Sequence, residues 1–509
     1  MAYLVGIDVG TSGVKAIACD ANGKIVATAA AEYPLHYPRP GWAEQDPQDW
    51  WTGTCVALRK LTDKLGKKSK EIKGVALSGQ MHSSVFLDKD LQVIRPALLW
   101  CDVRTTEQCQ WITTQAQGRE KLIDYVSNPA LEGFTAPKII WLRQREPENF
   151  AKVKYVMMPK DYIRFRLTGE IFTEVSDAAG TLLYDVKNRR WSGELLTKLE
   201  LNPEILPEVK ESIDVCGYVT TEAAELTGLP AEIPVAGGSA DNACGAVGAG
   251  IVREGRALSS IGSSGVLLAH TPQPTTDPKG AVHTFNHSIP QAWYVMGVML
   301  AAGLSYKWFA QAFAQVEQMV ETDYGIDLYK LLDQGAAAVE PGCDGLVFLP
   351  YLNGERTPHA DATARGVFFG LNPRHRKAHF ARAILEGVVF ALRDSLEIFK
   401  DMAIEIKELR AIGGGAKSPL WRQIQADVFN VPVATLNIDE GPAFGASLIA
   451  GKAAGVFPSL EEAADELITV KHVTEPNPAN VAKYEEIYTL FRGLYPALKD
   501  SFQKAARIF

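Results

Sequence analysis

Two short segments half a chain apart constrain the fold of this 509-residue sequence more than any other feature. Gly10-Thr11-Ser12-Gly13-Val14 follows the apolar run 4–7, and Gly262-Ser263-Ser264-Gly265-Val266 follows the apolar run 257–261. Apolar β-formers flanking a cluster of turn residues read as strand, turn, strand. A second pair repeats the relationship. Gly245-Ala246 and Gly445-Ala446 each open a stretch of small residues that reads as a helix. Small residues let two helices approach closely, as at a hinge where helices cross; two ordinary Gly/Ala-rich packed helices are the plain alternative. The chain is too long for one core. Together the four segments predict two similar α/β domains with a boundary near Gly250.

Other elements fit that frame. Residues 73–78 (KGVALS) and 97–100 are short β-rich runs, each followed by polar residues at its carboxyl end, the edge where α/β sheets bind ligands. Residues 409–412 form another, followed by Gly413-Gly414-Gly415 and a helix-like segment over 418–429. Three consecutive glycines cost backbone entropy. Close approach of the chain to a flat ligand such as a nucleoside is one reason for them, and a flexible loop is the other. Residues 480–508 have helical periodicity and read as a packing helix without chemistry.

Composition narrows the function. With 52 basic and 60 acidic side chains the net charge is −8, which argues against a nucleic acid or an acidic membrane as partner. A polyanion must then be held locally, by backbone N–H groups and a cation. The opening MAYLVGIDVGTSG has neither a basic n-region nor a long apolar run, and the apolar stretch 295–304 is too short to span a bilayer. The seven cysteines include no C-x-x-C pair. Free thiols and a cytoplasmic location are the expectation.

Neither a G-x-x-x-x-G-K-[ST] loop nor a G-x-G-x-x-G fingerprint occurs. A different phosphate-handling device remains. Asp8 ends an apolar run and precedes the turn Gly10, Thr11, Ser12, whose N–H groups can line an anion-binding concavity while the carboxylate holds hydrated Mg²⁺. The matching turn at Gly262, Ser263 and Ser264 would grip the phosphate tail from the second domain. Asp241 lies after an apolar run, among glycines, where one crossing helix begins. It is a candidate base at the hinge, and on spacing alone the helix-cap reading is favoured.

An ordered series of blocks settles the family expectation. The chain resembles the FGGY carbohydrate kinases through GIDVGTSGVKA near its start, WAEQDPQDWW at 42–51, SGQMH at 78–82, GFTAPKIIWL at 133–142 and PKDYIRFRLTGE at 159–170. SDAAGT at 176–181, ADNACGAVGAG at 240–250, FLPYLNGERTPH at 348–359, GVFFGL with ARAILEGV within 366–388, and IGGGAKSPLWRQIQADV at 412–428 complete it. The resemblance implies two ribonuclease-H-like domains of the actin and hexokinase type flanking a deep cleft. It assigns 1–250 to sugar binding and the first phosphate loop and 251–509 to ATP, with the last helix packing back on the N-terminal domain.

The resemblance also implies roles. Asp241 aligns with the family's catalytic base, displacing the cap reading. Gln80, Met81 and His82 align with the sugar-contacting segment, and Asn242, Asp102 and Arg104 are expected beside them. Asp8 aligns with the acidic residue near Mg²⁺. Gly262, Ser263 and Ser264 form the second phosphate loop, where many relatives have threonine in place of Ser263. Gly413, Gly414, Gly415 and Ser418 fall in the adenosine segment. Cys101 stands where relatives often carry asparagine, which bears on substrate preference. His283 and His287 have a metal-like spacing only on a helix; their segment reads as strand, so no metal is assigned there. The implied substrates are ATP with Mg²⁺ and a sugar, D-xylulose before ribulose, gluconate or glycerol, and a homodimer is the expected assembly. An actin-like assembly protein lacking a small acceptor is the rival from another class.

Overall fold

The computed structural model describes residues 2–508. Two mixed sheets carry the fold. In the first, strands Tyr3–Val9, Gly13–Asp20 and Ile25–Glu32 form an antiparallel meander. Ile72–Gly79 adds parallel to the first strand, and Pro234–Ala236 adds parallel to that. In the second, Arg256–Ile261, Gly265–Thr271 and Trp293–Met299 form the meander. Glu408–Gly413 and Val433–Leu436 then add in parallel. Both sheets therefore have the strand order 3-2-1-4-5, with the antiparallel and parallel pairings in the same places. This is the expected duplicated ribonuclease-H-like arrangement.

The two turns recognised in the sequence occupy equivalent positions. Val9 pairs with Val14 and the Gly10 N–H closes on Gly13 O at 3.0 Å; Ile261 pairs with Gly265 and the Gly262 N–H closes on Ser264 O at 3.0 Å. The central strand Tyr3–Val9 is apolar on both faces because both are covered. Helix Pro47–Leu65 covers one face with Trp50, Leu58 and Leu61. Asp46 caps it by accepting from the Gln48 N–H at 2.9 Å, and Pro47 supplies the preset first turn.

The opposite face is covered from the other half of the chain. Helix Gly441–Ala453 lies against strands Tyr3–Val9 and Ile72–Gly79, and Phe444, Leu448 and Ile449 share one core with Leu4, Ile17 and Ala76. Strand-to-helix contact is backbone-close at Gly6 and Gly74, where a Cβ would collide with Ala443 O and Ala450 O. The same helix crosses helix Asp241–Gly248, glycine against glycine. The small-residue pair is thus a crossing point, and the strands, but not the layers, separate near Gly250.

The last helix, Pro478–Ile508, corrects an expectation. Tyr484, Tyr488, Phe491 and Phe502 pack with Phe390 and Phe429 in the core of the second sheet, and the helix contacts Lys377–Asp401 and Pro419–Phe429. Its apolar stripe matches that side, so it does not return to the N-terminal half. All seven cysteines are free, and among the described residues no helix is long and apolar enough to cross a membrane.

Candidate active site

Asp8 sits at the carboxyl end of the first strand, in register with Ser78 and Lys15. The Ser78 hydroxyl donates to Asp8 Oδ1 at 2.8 Å. Burial raises its pKa, and the nearby Glu440 adds to this, while the Ser78 bond and the Lys15 charge oppose it. Lys15 itself pairs with Glu440, at the start of helix Gly441–Ala453. Beyond Asp8 the first turn opens outward. Among the described residues the backbone N–H groups of Thr11, Ser12, Ser263 and Ser264 meet no acceptor of the chain. Two such turns with donors to spare are what an extended polyphosphate requires.

Asp241 is the first residue of its helix, and Ala240 holds the cap position, so the capping reading does not describe it. Its Oδ1 accepts the Asn242 N–H at 2.7 Å and the Asn242 Nδ2–H at 3.0 Å, leaving Oδ2 without a partner among the described residues. Burial chiefly, and the charge of Asp8 next, push its pKa up to about 7 against those hydrogen bonds. A carboxyl held there is matched to taking a proton at neutral pH. Asn242 also donates to Met81 Sδ at 3.5 Å, joining the base to the SGQMH segment.

His82 is held in the left-handed region, at φ 67°, an uncommon conformation for a residue other than glycine. Its carbonyl is fixed by the Thr135 hydroxyl at 3.0 Å and by the buried Lys138 ammonium at 3.3 Å. Its ring packs on Phe134, with centroids 4.6 Å apart. Nδ1 lies 2.6 Å from Gly180 O; a carbonyl only accepts, so Nδ1 carries the proton. Burial pushes the pKa down to about 3, so the ring is neutral and Nε2 is a fixed acceptor.

Other expected residues are spent on the scaffold. Gln80 is buried, accepting from the Thr11 hydroxyl at 3.3 Å and donating to Gln45 Oε1 at 3.2 Å, so it braces the first phosphate turn. Asp102 and Arg104, expected beside the sugar, are engaged with each other and with the segment 42–44. Asp102 accepts the Ala43 N–H at 2.6 Å and Arg104 Nη2 at 2.6 Å. Arg104 lies 3.6 Å over Trp42, pairs with Glu44 and borders a separate cleft of about 480 Å³. Ser418 caps helix Pro419–Phe429 by accepting from Trp421 N–H at 3.1 Å. Of the three glycines, Gly413 has φ 75° and Gly415 presses on the Ile261 side chain, so both serve the packing of neighbouring strands. Gly414 is exposed, and a Cβ there would meet Ile261 O only at 3.5 Å, an ordinary contact.

Residues missed in the sequence also line this region. Trp100 is 40% exposed and donates from Nε1 to Thr11 Oγ1 at 2.9 Å. Tyr294 reaches Met81 Sδ from the second sheet at 4.0 Å. His283 and His287 are engaged by Asn128 and Ile251 O, and no group of three or more metal-ligating side chains exists among the described residues. A cation near Asp8 would therefore keep most of its water or take phosphate oxygens. That donor set suits Mg²⁺, which dehydrates reluctantly, and not a metal needing a full protein cage.

Comparison with known proteins agrees with this layout. The model of the N-terminal domain of the FGGY family of carbohydrate kinases matches residues 3–248, and that of the C-terminal domain matches 257–454. A xylulose kinase of Bacillus subtilis is 43% identical over 98% of both chains. The crystal structure of a Brucella ovis protein described as a xyloylose kinase superposes with a TM-score of 0.90 at 36% identity, covering 98% of this chain and 99% of that one. A ligand-bound xylulose kinase from Lactobacillus acidophilus superposes at 0.91 with 29% identity, covering 99% and 100%. With both family domains matched in order along one chain, this protein belongs to the FGGY family of carbohydrate kinases.

Proposed function

We propose that the protein is a xylulokinase, transferring the γ-phosphoryl group of ATP to the 5-hydroxyl of D-xylulose with Asp241 as the general base. The observation that carries the base assignment is the free Oδ2 of Asp241, on a carboxyl pushed up to about 7, beside a segment with a fixed neutral histidine. The substrate assignment rests on full-length likeness to xylulose kinases.

Phosphoryl transfer asks the protein for positioning and charge stabilisation. His82 Nε2 accepts from a sugar hydroxyl, and Met81 provides apolar surface. Asp241 Oδ2 takes the proton of the attacking hydroxyl as the bond from oxygen to phosphorus forms and ADP leaves. The N–H groups of Thr11, Ser12, Ser263 and Ser264 hold the phosphate oxygens from both halves. Asp8 is the residue that would hold hydrated Mg²⁺, which offsets polyphosphate charge when bound. The exposed backbone at Gly414 is the surface offered to the nucleoside.

The test is ADP production from ATP and Mg²⁺ with D-xylulose, D- and L-ribulose, gluconate, glycerol or no acceptor. Strong stimulation by D-xylulose is expected. Preference for another acceptor would overturn the substrate and show that Cys101 matters; no stimulation by any would overturn the kinase reading.

A further inference from the structure

Arg356, itself half-buried, stands apart from the arginines whose side chains are buried. Arg104 is paired with Asp102 and Glu44, Arg164 with Asp161, Arg382 with Glu386, and Arg410 with Glu408. Among the described residues the Arg356 guanidinium makes no hydrogen bond or ion pair. Burial lowers its pKa, with only the fields of Glu132 and Glu355 opposing. A half-buried guanidinium with no acceptor from the chain keeps its N–H donors available to a bound molecule.

The backbone around it is fixed. Arg356 N–H donates to Glu355 Oε1 at 2.7 Å, and the Leu300 N–H donates to the same oxygen at 3.1 Å. Thr357 N–H donates to Val298 O at 3.0 Å, and its hydroxyl accepts from the Val298 N–H at 3.1 Å while donating to Ala281 O at 3.0 Å. The segment is thus tied to the strand Trp293–Met299 and to the approach of strand His283–Asn286. His283 and Phe285 from that strand contact Phe134, and Phe134 contacts His82. The Arg356 charge is felt at His82 and His283, whereas Asp241 answers to Asp8 and Asn242. Thr357, bonded to Ala281 O at 3.0 Å just before strand His283–Asn286, sets the Arg356 segment on the side where His283, Phe134 and His82 pack together.

We propose that Arg356 binds the acceptor sugar, donating its guanidinium N–H groups to hydroxyl oxygens at the His82 end. This inference rests on the kinase reading above. His82 Nε2 only accepts and Arg356 only donates, and a sugar hydroxyl does both, so the two groups together complete one polyhydroxyl subsite. The charge of Glu132 opposes that of the guanidinium, while burial pushes the Glu355 carboxyl up to about 8. The C-terminal half then contributes directly to acceptor recognition. Leu300, held by Glu355, leads within three residues to Gly303, whose N–H donates to Gly262 O at 2.8 Å in the second phosphate turn. Acceptor and phosphate sites share one rigid segment.

The test compares wild type, Arg356→Ala and Arg356→Lys as full chains, reading KM for D-xylulose, KM for ATP and recovery by added guanidinium ion. Expected are a sugar KM raised by about tenfold or more in Arg356→Ala, an ATP KM within about twofold of wild type, and partial recovery with guanidinium. Unchanged sugar KM in folded Arg356→Ala overturns the proposal. If that variant does not fold, Arg356→Lys decides: its point charge cannot fork between two oxygens, so unchanged sugar KM overturns the proposal there too. Wild type responding to a different acceptor would mean that the xylulose assignment has failed, and the same comparison is then made with that acceptor. Wild type responding to none overturns both.

Discussion

Gly248 and Gly441 meet where their two helices cross, so closely that a Cβ on Gly248 would lie well inside contact with the Gly441 carbonyl oxygen. Gly445 stands in the same relation to Cys244 O. Neither neighbour is a flexible side-chain end that can swing away. Gly248→Ala or Gly445→Ala should therefore force the helices apart, with an overpacking penalty of about 1–3 kcal/mol. The expected outcome is a lower Tm and lower soluble yield, with Gly493→Ala as control because no atom faces a Cβ there. Unchanged unfolding in both crossing variants would contradict the packing described.

Asp241→Asn keeps the shape and removes the proton acceptor. Turnover should fall by ~10²–10⁴-fold, while D-xylulose binding measured by calorimetry stays within a few-fold of wild type. A variant that turns over normally would remove Asp241 from its role as base.

The pH dependence follows from the same carboxyl. With its pKa up to about 7, the basic form disappears as pH falls, so kcat/KM for the sugar should drop below pH 7. At pH 6 the loss should be about tenfold. A flat profile between pH 5.5 and pH 8 would be incompatible with a base of this pKa.

Stability should move the other way. The folded pKa is above the ordinary carboxylate value, so the folded protein binds a proton that the unfolded chain releases between roughly pH 4 and pH 7. Above pH 7 the folded state carries the whole cost of a desolvated charge. Asp241→Asn should then raise Tm at pH 8, and the gain should shrink as pH falls toward 4. An equal gain at both pH values would show that the carboxyl is not desolvated.

His82 is neutral across the working range. His82→Ala should raise the sugar KM by about tenfold or more while sparing the ATP KM. No titration near 6.5 should appear in the sugar KM of wild type. A step there would mean that the ring is charged when sugar binds.

Much of this was legible from local pattern. The two turns and the crossing helices announce themselves through small residues, because close approach of a neighbouring segment excludes a Cβ at Gly13, Gly265, Gly248 and Gly445. The scaffold contacts of Asp102 and Arg104 are not legible in sequence because their partners Trp42, Ala43 and Glu44 lie about sixty residues upstream, and a charged pair looks the same whether it faces a ligand or a scaffold. The glycine triplet reads in sequence as close approach to a ligand or as a flexible loop, and the packing of Gly413 and Gly415 against Ile261 is not legible there because Ile261 lies about 150 residues upstream. Tyr294 and Arg356 are not legible as site residues because strand pairing positions the first and the Thr357 bonds to Val298 position the second, and neither relation shows in local sequence.

Helix Gly441–Ala453 has a consequence for how the chain is made. The first sheet is complete in sequence by residue 240, yet one of its apolar faces is covered only by this late segment. During synthesis the N-terminal half must emerge and wait with Leu4, Ile17 and Ala76 uncovered until residue 453 is available. A chain cut near Gly250 is expected to leave this sheet face bare on one fragment and helix Gly441–Ala453 without its partner on the other.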